Sequence, residues 1–423
     1  MCFFGPGDRC LTVLVLGDEI PYPPDSGKRI RTWNLLRRLA KRHSLSYLCY
    51  GDDDDPAIAT LESEGITVYT VRPRTKFEGW QLYLRLLANV LSPYPYSVAK
   101  QISRNFDEKL RQLMDDRQFD LVQSEATTCG RYLNSVAGVP RVLHTHNIES
   151  QIWSRRARLG QTLAERLFFA SQAVKMRWFE RRLLRTVESA VAVTLQDSRQ
   201  MRDWDVPTVT VVPNGVNLEL STINPDGVRP FELLFLGALD WYPNLDGLQF
   251  FVCEILPLVV SAQPNTTLRI VGRRPAESLR KLAASNRQVE LVGEVKDVRP
   301  YLARASVVVV PLRIGGGSRL KILEALAAGK AVISTSIGAE GLDITPGRHF
   351  QLADTPLEFA QQIIALLSSE VERLHLGETG RLLVAERYNW DGIAMKLEEA
   401  WFKALARVPR QGTLGQECVR VPQ

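Results

Sequence analysis

Short runs of aliphatic and β-branched residues recur along the first half of the chain. Each run is followed by a turn rich in Gly, Pro or Asp and then by a longer stretch with helical spacing. The runs cover residues 11–16, 45–50, 67–71, 121–124, 141–145 and 190–194, and the first helix is expected over 29–42. Continuous apolar runs of this length are typical of parallel strands buried on both faces. The pattern predicts an α/β domain.

The same pattern restarts in the second half, with runs at residues 232–236, 267–271, 289–292, 306–311 and 331–334. We predict a first domain over residues 1–216, a linker over 217–229 and a second domain over 230–387. A C-terminal helix over 388–408 is expected to return to the first domain, and residues 409–423, which lack apolar periodicity, are expected to be disordered. Two such sheets leave a cleft into which the carboxyl ends of their strands point, where ligands usually bind.

Composition narrows the class of protein. The 423 residues are 45% hydrophobic and 24% charged, as in globular proteins. No apolar run approaches the ~20 residues needed to cross a bilayer, so we do not expect an integral membrane protein. The first residues lack the pattern of a secretory signal, and the six cysteines show no metal-site spacing. We therefore expect a cytoplasmic protein without a bound metal.

The charge of the chain predicts an acidic partner. The formal net charge is +6 and the pI is about 9.0. Basic residues crowd two segments, residues 28–42 and 155–185. Two interpretations remain open for them: solvated helix faces, or peripheral contact with an anionic membrane. We expect no nucleic-acid partner.

A glycine triplet carries the most specific chemistry. The apolar run ends at Pro311, Gly315, Gly316 and Gly317 follow, and a helix is predicted to begin near Ser318. Glycines let a backbone approach a phosphate closely, and the unpaired amides of a helix N-terminus attract anions. The pattern favours a phosphate-binding site over an ordinary glycine-rich turn.

Two cations and one carboxylate extend this site. Arg319 and Lys321 lie in the predicted first turn, where the helix dipole disfavours positive charge. A diphosphate would explain both. Glu324 follows about one turn later, where a carboxylate could accept hydrogen bonds from ribose hydroxyls.

Motifs in this order resemble those of the group 1 (family 4) glycosyltransferases of the GT-B fold, which are mostly retaining enzymes. The resemblance spans nearly the whole chain. It lies in residues 21–27, 144–150, 212–216, 235–244, 270–272, 292–295, 315–324 and 386–390. It implies two Rossmann-like domains with C-terminal helices and a nucleoside diphosphate sugar as donor, with no cofactor and no bound metal.

The resemblance also assigns roles by position. Glu324 matches the second glutamate of the family's paired-glutamate motif, which holds the donor ribose. The first glutamate would fall at Gly316, so backbone amides of residues 315–318 are expected to replace it. The family's Arg and Lys after the first strand of the second domain are absent from residues 237–244, and Arg319 and Lys321 are expected to supply that charge. Asn244 in that loop and Val295 complete the predicted donor site.

The first domain supplies candidates for the other side of the cleft. Gly27 is expected to admit the donor, with Lys28 either assisting it or lying in an ordinary turn. Glu125 is a candidate for acceptor binding or acid/base support, or a surface loop residue. His146, with Asn147, is the preferred functional pair, although a structural histidine is equally consistent with the pattern. Four consecutive aspartates at 52–55 are interpreted as a solvated loop rather than a metal site.

The resulting hypothesis is a glycosyltransferase that moves a sugar to a glycan, lipid-linked or small-molecule acceptor. In it Arg319, Lys321, His146 and Glu125 are the catalytic candidates. A nucleotide-sugar epimerase and a non-catalytic sugar-nucleotide-binding protein remain as alternatives.

Overall fold

The protein is described here from a computed structural model, which covers residues 9–73, 79–160, 162–223, 227–315 and 320–408. Gly316, Gly317, Ser318 and Arg319 of the predicted phosphate site lie outside these described residues, as does the segment 409–423 that was expected to be disordered.

Two parallel sheets form the framework. The first has seven strands in the order β3-β2-β1-β4-β5-β6-β7, and the second has six in the order β10-β9-β8-β11-β12-β13. The strands of the first are β1 Thr12–Leu16, β2 Ser44–Tyr50, β3 Ile66–Val71, β4 Leu121–Ser124, β5 Arg141–His144, β6 Ser189–Ala192 and β7 Val209–Val211. Those of the second are β8 Glu232–Leu236, β9 Thr267–Val271, β10 Val289–Gly293, β11 Val307–Val310, β12 Ala331–Ser334 and β13 Gln351–Leu352. The predicted fold class, two α/β domains with parallel sheets, is confirmed.

Helices cover the sheets. In the first half they are α1 Gly27–Leu39, α2 Ala57–Ser63, α3 Gly79–Leu91, α4 Tyr96–Ala99, α5 Arg104–Asp116, α6 Glu149–Leu159, α7 Leu163–Leu184 and α8 Leu195–Asp203, with 3-10 helices at Gly130–Ser135 and Leu218–Thr222. In the second half they are α9 Tyr242–Phe250, α10 Leu256–Ala262, α11 Glu277–Ala284, α12 Arg299–Arg304, α13 Leu320–Ala327, α14 Ser336–Ala339, α15 Pro356–Ser368, α16 Glu370–Arg387 and α17 Trp390–Leu405, with a π-helical turn at Phe251–Ile255.

The order of strands fixes where a ligand can enter. In the first sheet the order in which successive strands are added reverses between β1 and β4, and in the second it reverses between β8 and β11. At such a switch point the loops that leave neighbouring strands run to opposite faces, which opens a crevice at the carboxyl ends. The loops after β1, β4, β8 and β11 therefore border this crevice.

The last helix returns to the first sheet. Trp401 of α17 is fully buried, and its indole Nε1 donates to the Gln123 side-chain oxygen at 2.5 Å. Where the chain crosses over, the Val216 amide donates to the Tyr388 carbonyl oxygen at 2.8 Å. The C-terminal helix thus completes the core of the first domain.

One helical stretch, residues Tyr242–Ala262, is long and apolar enough to cross a bilayer by length and composition, which the sequence had not indicated. Its side chains include the buried Phe251, Ile255 and Val259, which pack in the core of the second domain.

Candidate functional site

The cationic side of the site lies at the carboxyl end of β8. The Lys321 ammonium donates to the Asn244 side-chain oxygen at 2.7 Å and lies 4.2 Å from the centre of the Phe235 ring. Asn244 is held in turn, because its amide nitrogen donates to the Ala238 carbonyl oxygen at 2.7 Å. A side chain at Gly237 would begin 2.8 Å from the Lys321 ammonium, so glycine there leaves the cation room. The structure therefore brings predicted residues Lys321 and Asn244 together.

Glu324 lies on the same helix as Lys321, one turn further along. Its side chain is half-buried, and burial raises the pKa of its carboxyl group, while the Lys321 ammonium acts in the opposite direction. Hydrogen-bond donors such as ribose hydroxyls would stabilise a half-buried carboxylate, because they would replace the water lost on burial.

Val295 lies further along the same edge, in the loop after β10. It is half-buried against the core that includes Val271 and follows Gly293, whose φ of 84° is in the left-handed region. Below this edge the loops after β8 and β9 are in close contact, and a Cβ at Gly272 would overlap the carbonyl oxygen of Gly237. Backbone groups therefore form much of this wall.

The carbonyl oxygen of Gly315 accepts a hydrogen bond from a residue that the sequence analysis did not identify. The Arg155 guanidinium, on α6 of the first domain, donates to the Gly315 carbonyl oxygen and pairs with Glu340 at 2.5 and 2.6 Å. Neighbouring Arg156 lies 4.4 Å from the centre of the Tyr242 ring. In the sequence these arginines were only part of a basic segment, and no local signal identifies their partners in the other domain.

Gly27 faces the second domain directly. It is the first residue of α1, which Ser26 caps by accepting from the Arg29 amide at 3.4 Å. A Cβ at Gly27 would lie 3.4 Å from the Leu320 side chain at the beginning of α13. Near it, Asp25 pairs with Arg273 of the second domain at 3.0 Å. Gly27 and the beginning of α13 therefore lie on opposite walls of one cleft.

Lys28 forms an ion pair with Asp18, in the loop after β1. Burial alone would raise the pKa of Asp18, but the Lys28 ammonium outweighs it and the pKa is lowered. Gln101 and Thr128 lie 3.5 Å from the second Asp18 oxygen. Lys28 is thus neutralised by the first domain itself, which makes it a residue that positions Asp18.

Glu125 is buried rather than part of a surface loop, with 1% of its surface exposed. Its carboxylate accepts from Gln123, from Thr32 at 3.0 Å and from His144 Nδ1 at 3.1 Å. Although burial opposes ionisation, the nearby histidines and Arg31 hold the pKa of Glu125 well below its usual range. Since protein donors surround it, Glu125 can position the histidines but does not reach the cleft.

His144 and Arg31 continue this buried network. Arg31 Nε donates to His144 Nε2 at 2.8 Å, so the proton of the neutral imidazole is on Nδ1, facing Glu125. Burial lowers the pKa of His144. The sequence had placed Arg31 in a solvated or lipid-facing cluster; that was wrong, because only 1% of its surface is exposed.

His146 is more exposed than His144, with 15% of its side chain accessible against 0%, and the centres of the two rings are 5.1 Å apart. Its Nε2 is 3.9 Å from a Glu125 oxygen and has no hydrogen-bond partner among the described residues. Burial, reinforced by His144, lowers its pKa well below the usual value, so the imidazole is neutral at neutral pH. The nitrogen itself is buried, so the part of the side chain that a ligand could contact is the exposed 15% formed by its other atoms.

The aspartates at 52–55 make local contacts. Asp55 accepts from the Ala57 amide at 2.9 Å, and Asp53 accepts from the Thr70 hydroxyl. Among the described residues no group of three or more His, Cys, Asp or Glu side chains is arranged to hold a metal ion.

Two sheets with facing carboxyl edges and a returning C-terminal helix define the GT-B class of glycosyltransferases. The fold matches Anabaena HepE, solved with UDP and glucose, with a TM-score of 0.66 and 13% identity over 94% of this chain and 100% of that one. It also matches sucrose-phosphate synthase from Thermosynechococcus elongatus, with a TM-score of 0.72 and 17% identity over the same shares. At these identities the likeness concerns the fold.

Two family models cover the chain in succession. The model described as Glycosyltransferase Family 4 matches residues 26–220, and the model described as Glycosyl transferases group 1 matches residues 230–369. The chain belongs to the group 1, family 4 glycosyltransferases, as the motifs predicted.

Curated relatives match parts of the chain. A GDP-mannose-dependent monoacylated alpha-(1-6)-phosphatidylinositol monomannoside mannosyltransferase of Corynebacterium glutamicum is 29% identical over 34% of this chain and 41% of the relative. Phosphatidyl-myo-inositol mannosyltransferase of Mycobacterium tuberculosis is 28% identical over 51% of this chain and 60% of the relative. D-inositol 3-phosphate glycosyltransferase of Pseudarthrobacter chlorophenolicus is 25% identical over 71% of this chain and 74% of the relative. The chain thus spans about two fifths to three fifths of the first two relatives.

Proposed function

We propose that this glycosyltransferase takes its sugar from a nucleoside diphosphate sugar, with the diphosphate bound where Lys321 meets Asn244. The observation that carries the proposal is the placement of this cation at the carboxyl end of β8, across the cleft from Gly27. A fixed cation in a crevice between two domains attracts an anionic ligand, and it stabilises the charge that develops on a leaving diphosphate.

Neighbouring groups are assigned to the other parts of the donor. Glu324 binds the ribose hydroxyls, and backbone groups near Val295 meet the base. Gly315, Gly316, Gly317, Ser318 and Arg319 remain the predicted cradle for the phosphates. The proposal requires no cofactor and no bound metal, since positive charge from the protein would neutralise the leaving group.

The acceptor side of the proposal centres on His146. Its unpartnered Nε2 lies in the part of the first domain that also holds Asp18 and Lys28. We assign the exposed edge of the His146 imidazole to contact with the donor sugar or an acceptor hydroxyl, and we assign Glu125 to positioning the two histidines. Retention of anomeric configuration is proposed on family membership alone.

The acceptor class is proposed from chemistry and relatives together. Two of the relatives are phosphatidylinositol-type mannosyltransferases by name, and one is an inositol phosphate glycosyltransferase. We propose a glycan, lipid-linked or small-molecule acceptor and a cytoplasmic protein that can work at the inner membrane face.

The donor assignment is tested by calorimetry of UDP and GDP with the unmodified protein and Lys321→Ala. Loss of one charged hydrogen bond should weaken binding by about 1.5 to 3 kcal/mol, or about 10- to 150-fold in Kd. The matched control is Lys281→Ala, an exposed lysine of the same domain, which should bind like the unmodified protein. Equal affinity for the Lys321 and Lys281 variants would remove the assignment.

Transfer itself is measured as nucleoside diphosphate release from candidate donors with and without acceptors. A transferase should accelerate on addition of an acceptor. Conversion of the donor into an epimer without any acceptor would instead support the epimerase alternative, and binding without turnover would support a non-catalytic protein.

A further inference from the structure

The outward face of α7 carries a stripe of exposed apolar residues. Leu163, Leu167 and Val174 are 73%, 63% and 71% exposed, and Trp178 is 51% exposed. They follow a spacing of four, seven and four residues, which places them along one side of the helix. Soluble proteins rarely leave such a contiguous apolar stripe uncovered unless it meets a partner.

Exposed arginines accompany this stripe towards the C-terminus of the helix. Arg177, Arg181, Arg182 and Arg185 are exposed there. Arg177 and Arg181 also line a surface depression of about 450 Å³ together with Arg199 of α8. Asp203 lines it too, and Asp205 pairs with Arg185 and lies 4.0 Å from Arg181, so part of the positive charge is balanced locally. Arginines near a helix C-terminus interact favourably with the helix dipole, but this interaction does not explain the positions of Arg177 and Arg199.

A second exposed apolar helix touches α7. In α3, Trp80, Leu84, Leu87 and Leu91 are 70%, 55%, 67% and 92% exposed, again along one side of the helix. The opposite side is fixed to α7, because Gln172 donates to the Asn89 side-chain oxygen at 3.0 Å and Lys175 donates to its carbonyl oxygen at 2.7 Å. The exposed side of α3 therefore points away from α7 and belongs to a different part of the surface. We call the exposed face of α7, with its apolar residues and arginines, the α7 surface.

This surface adjoins the entrance to the cleft. Arg156 of α6 lies 4.2 Å from the centre of the Phe169 ring of α7 and 4.4 Å from that of Tyr242 in the second domain. A partner seated on the first half of α7 is therefore next to the contact between the two domains.

We infer that the α7 surface docks the protein onto an anionic phospholipid bilayer, with its leucines, valine and tryptophan in the interface and the arginines on lipid phosphates. Interfacial helices combine an apolar face with basic residues in this way. The basic segment 28–42 does not serve this purpose, because Lys28, Arg29 and Arg38 are paired with Asp18, Glu19 and Asp391. The inference rests on the proposed work at the inner membrane face and does not depend on the donor chemistry.

The test is sedimentation of the full chain with vesicles of phosphatidylcholine alone or mixed with phosphatidylglycerol, without any donor. We expect binding to the anionic vesicles that weakens with salt, and at least about a tenfold loss for Val174→Glu and for Arg177→Glu. Each variant has a matched control elsewhere on the surface. Val371→Glu changes a valine of α16 that is 80% exposed, and Arg287→Glu makes the same change of charge in the second domain.

Equal binding by the variants and their controls would overturn the inference, as would equal binding to both kinds of vesicle or to neither. Light scattering without vesicles supplies one further outcome. If the unmodified chain is a dimer that Val174→Glu alone dissociates, the surface is a contact between two copies and the membrane assignment is wrong. Nucleotide affinity, measured separately, should be the same in all four variants.

Discussion

Replacing Arg31 by methionine tests the buried network beneath the cleft. The guanidinium donates to four acceptors: His144 Nε2 at 2.8 Å, the Asn214 side-chain oxygen at 2.8 Å, and the Val212 and Pro213 carbonyl oxygens at 2.6 Å each. Methionine fills similar space but leaves all four without this donor.

The expected loss in the free energy of unfolding is about 3 to 5 kcal/mol, the usual result of removing one partner from a buried charged network. Treating each bond as an independent 1.5 to 3 kcal/mol contribution would overestimate the loss, because bonds that share one side chain are not additive. Burial lowers the pKa of Arg31 to about 10, so the guanidinium remains charged at neutral pH and the loss applies there.

Urea denaturation followed by tryptophan fluorescence measures the change. The control is Arg38→Met on the same helix, whose partner Asp391 is 72% exposed, so the expected loss is about 1 kcal/mol or less. Arg31→Lys should resemble Arg31→Met, because one ammonium cannot reproduce the planar set of donors. If Arg31→Lys is as stable as the unmodified protein, a single positive charge is sufficient and the reasoning from four directed bonds is refuted.

Two further outcomes are expected. Gly272→Ala should lower the free energy of unfolding by about 1 to 3 kcal/mol, because its Cβ would overlap the backbone of Gly237. The control is Gly392→Ala in α17, whose Cβ would meet no atom within 4 Å and which should stabilise the protein by about 1 kcal/mol. Thermal denaturation of the two variants measures the difference. Because burial lowers the pKa of His146, the unfolded chain binds a proton near pH 6.5 before the folded one does, so stability should fall between about pH 6.5 and 5. His146→Gln should reduce that slope in urea midpoints, while the exposed His375→Gln should not; equal slopes would contradict the assignment.

The strands were the most predictable part of the fold. The predicted runs at 121–124, 232–236, 267–271 and 331–334 coincide with β4, β8, β9 and β12. Strands buried on both faces need continuous apolar residues, so the local sequence carries the signal. The edge strand Gln351–Leu352 has only two residues and was missed, because no periodicity can be seen over that length.

Contacts between distant parts of the chain could not be predicted. Arg31 and Arg38 are seven residues apart in one basic segment, yet one is buried and the other pairs with exposed Asp391. Residues seven apart lie on the same side of a helix, so their difference depends on what packs against α1 at each level: residues 212–214 against Arg31, and Asp391 against Arg38. Arg155 likewise looks like any arginine of α6 until the second domain brings Glu340 to it. A motif that is continuous in sequence, as from Lys321 to Glu324, lets the sequence nominate candidate site residues, whereas contacts assembled from both domains leave no local signal.

The crossover beside Val216 has a mechanical consequence. The chain passes from the first domain to the second just after this residue and comes back at Tyr388, and the two passages are bonded to each other, with Val216 and Asn389 bridged in parallel. Paired connectors resist twisting more than a single one while still permitting the lobes to swing apart. Since Trp390 and Trp401 are buried beyond that return point, a chain cut there would lose part of the first lobe's interior along with its second connector.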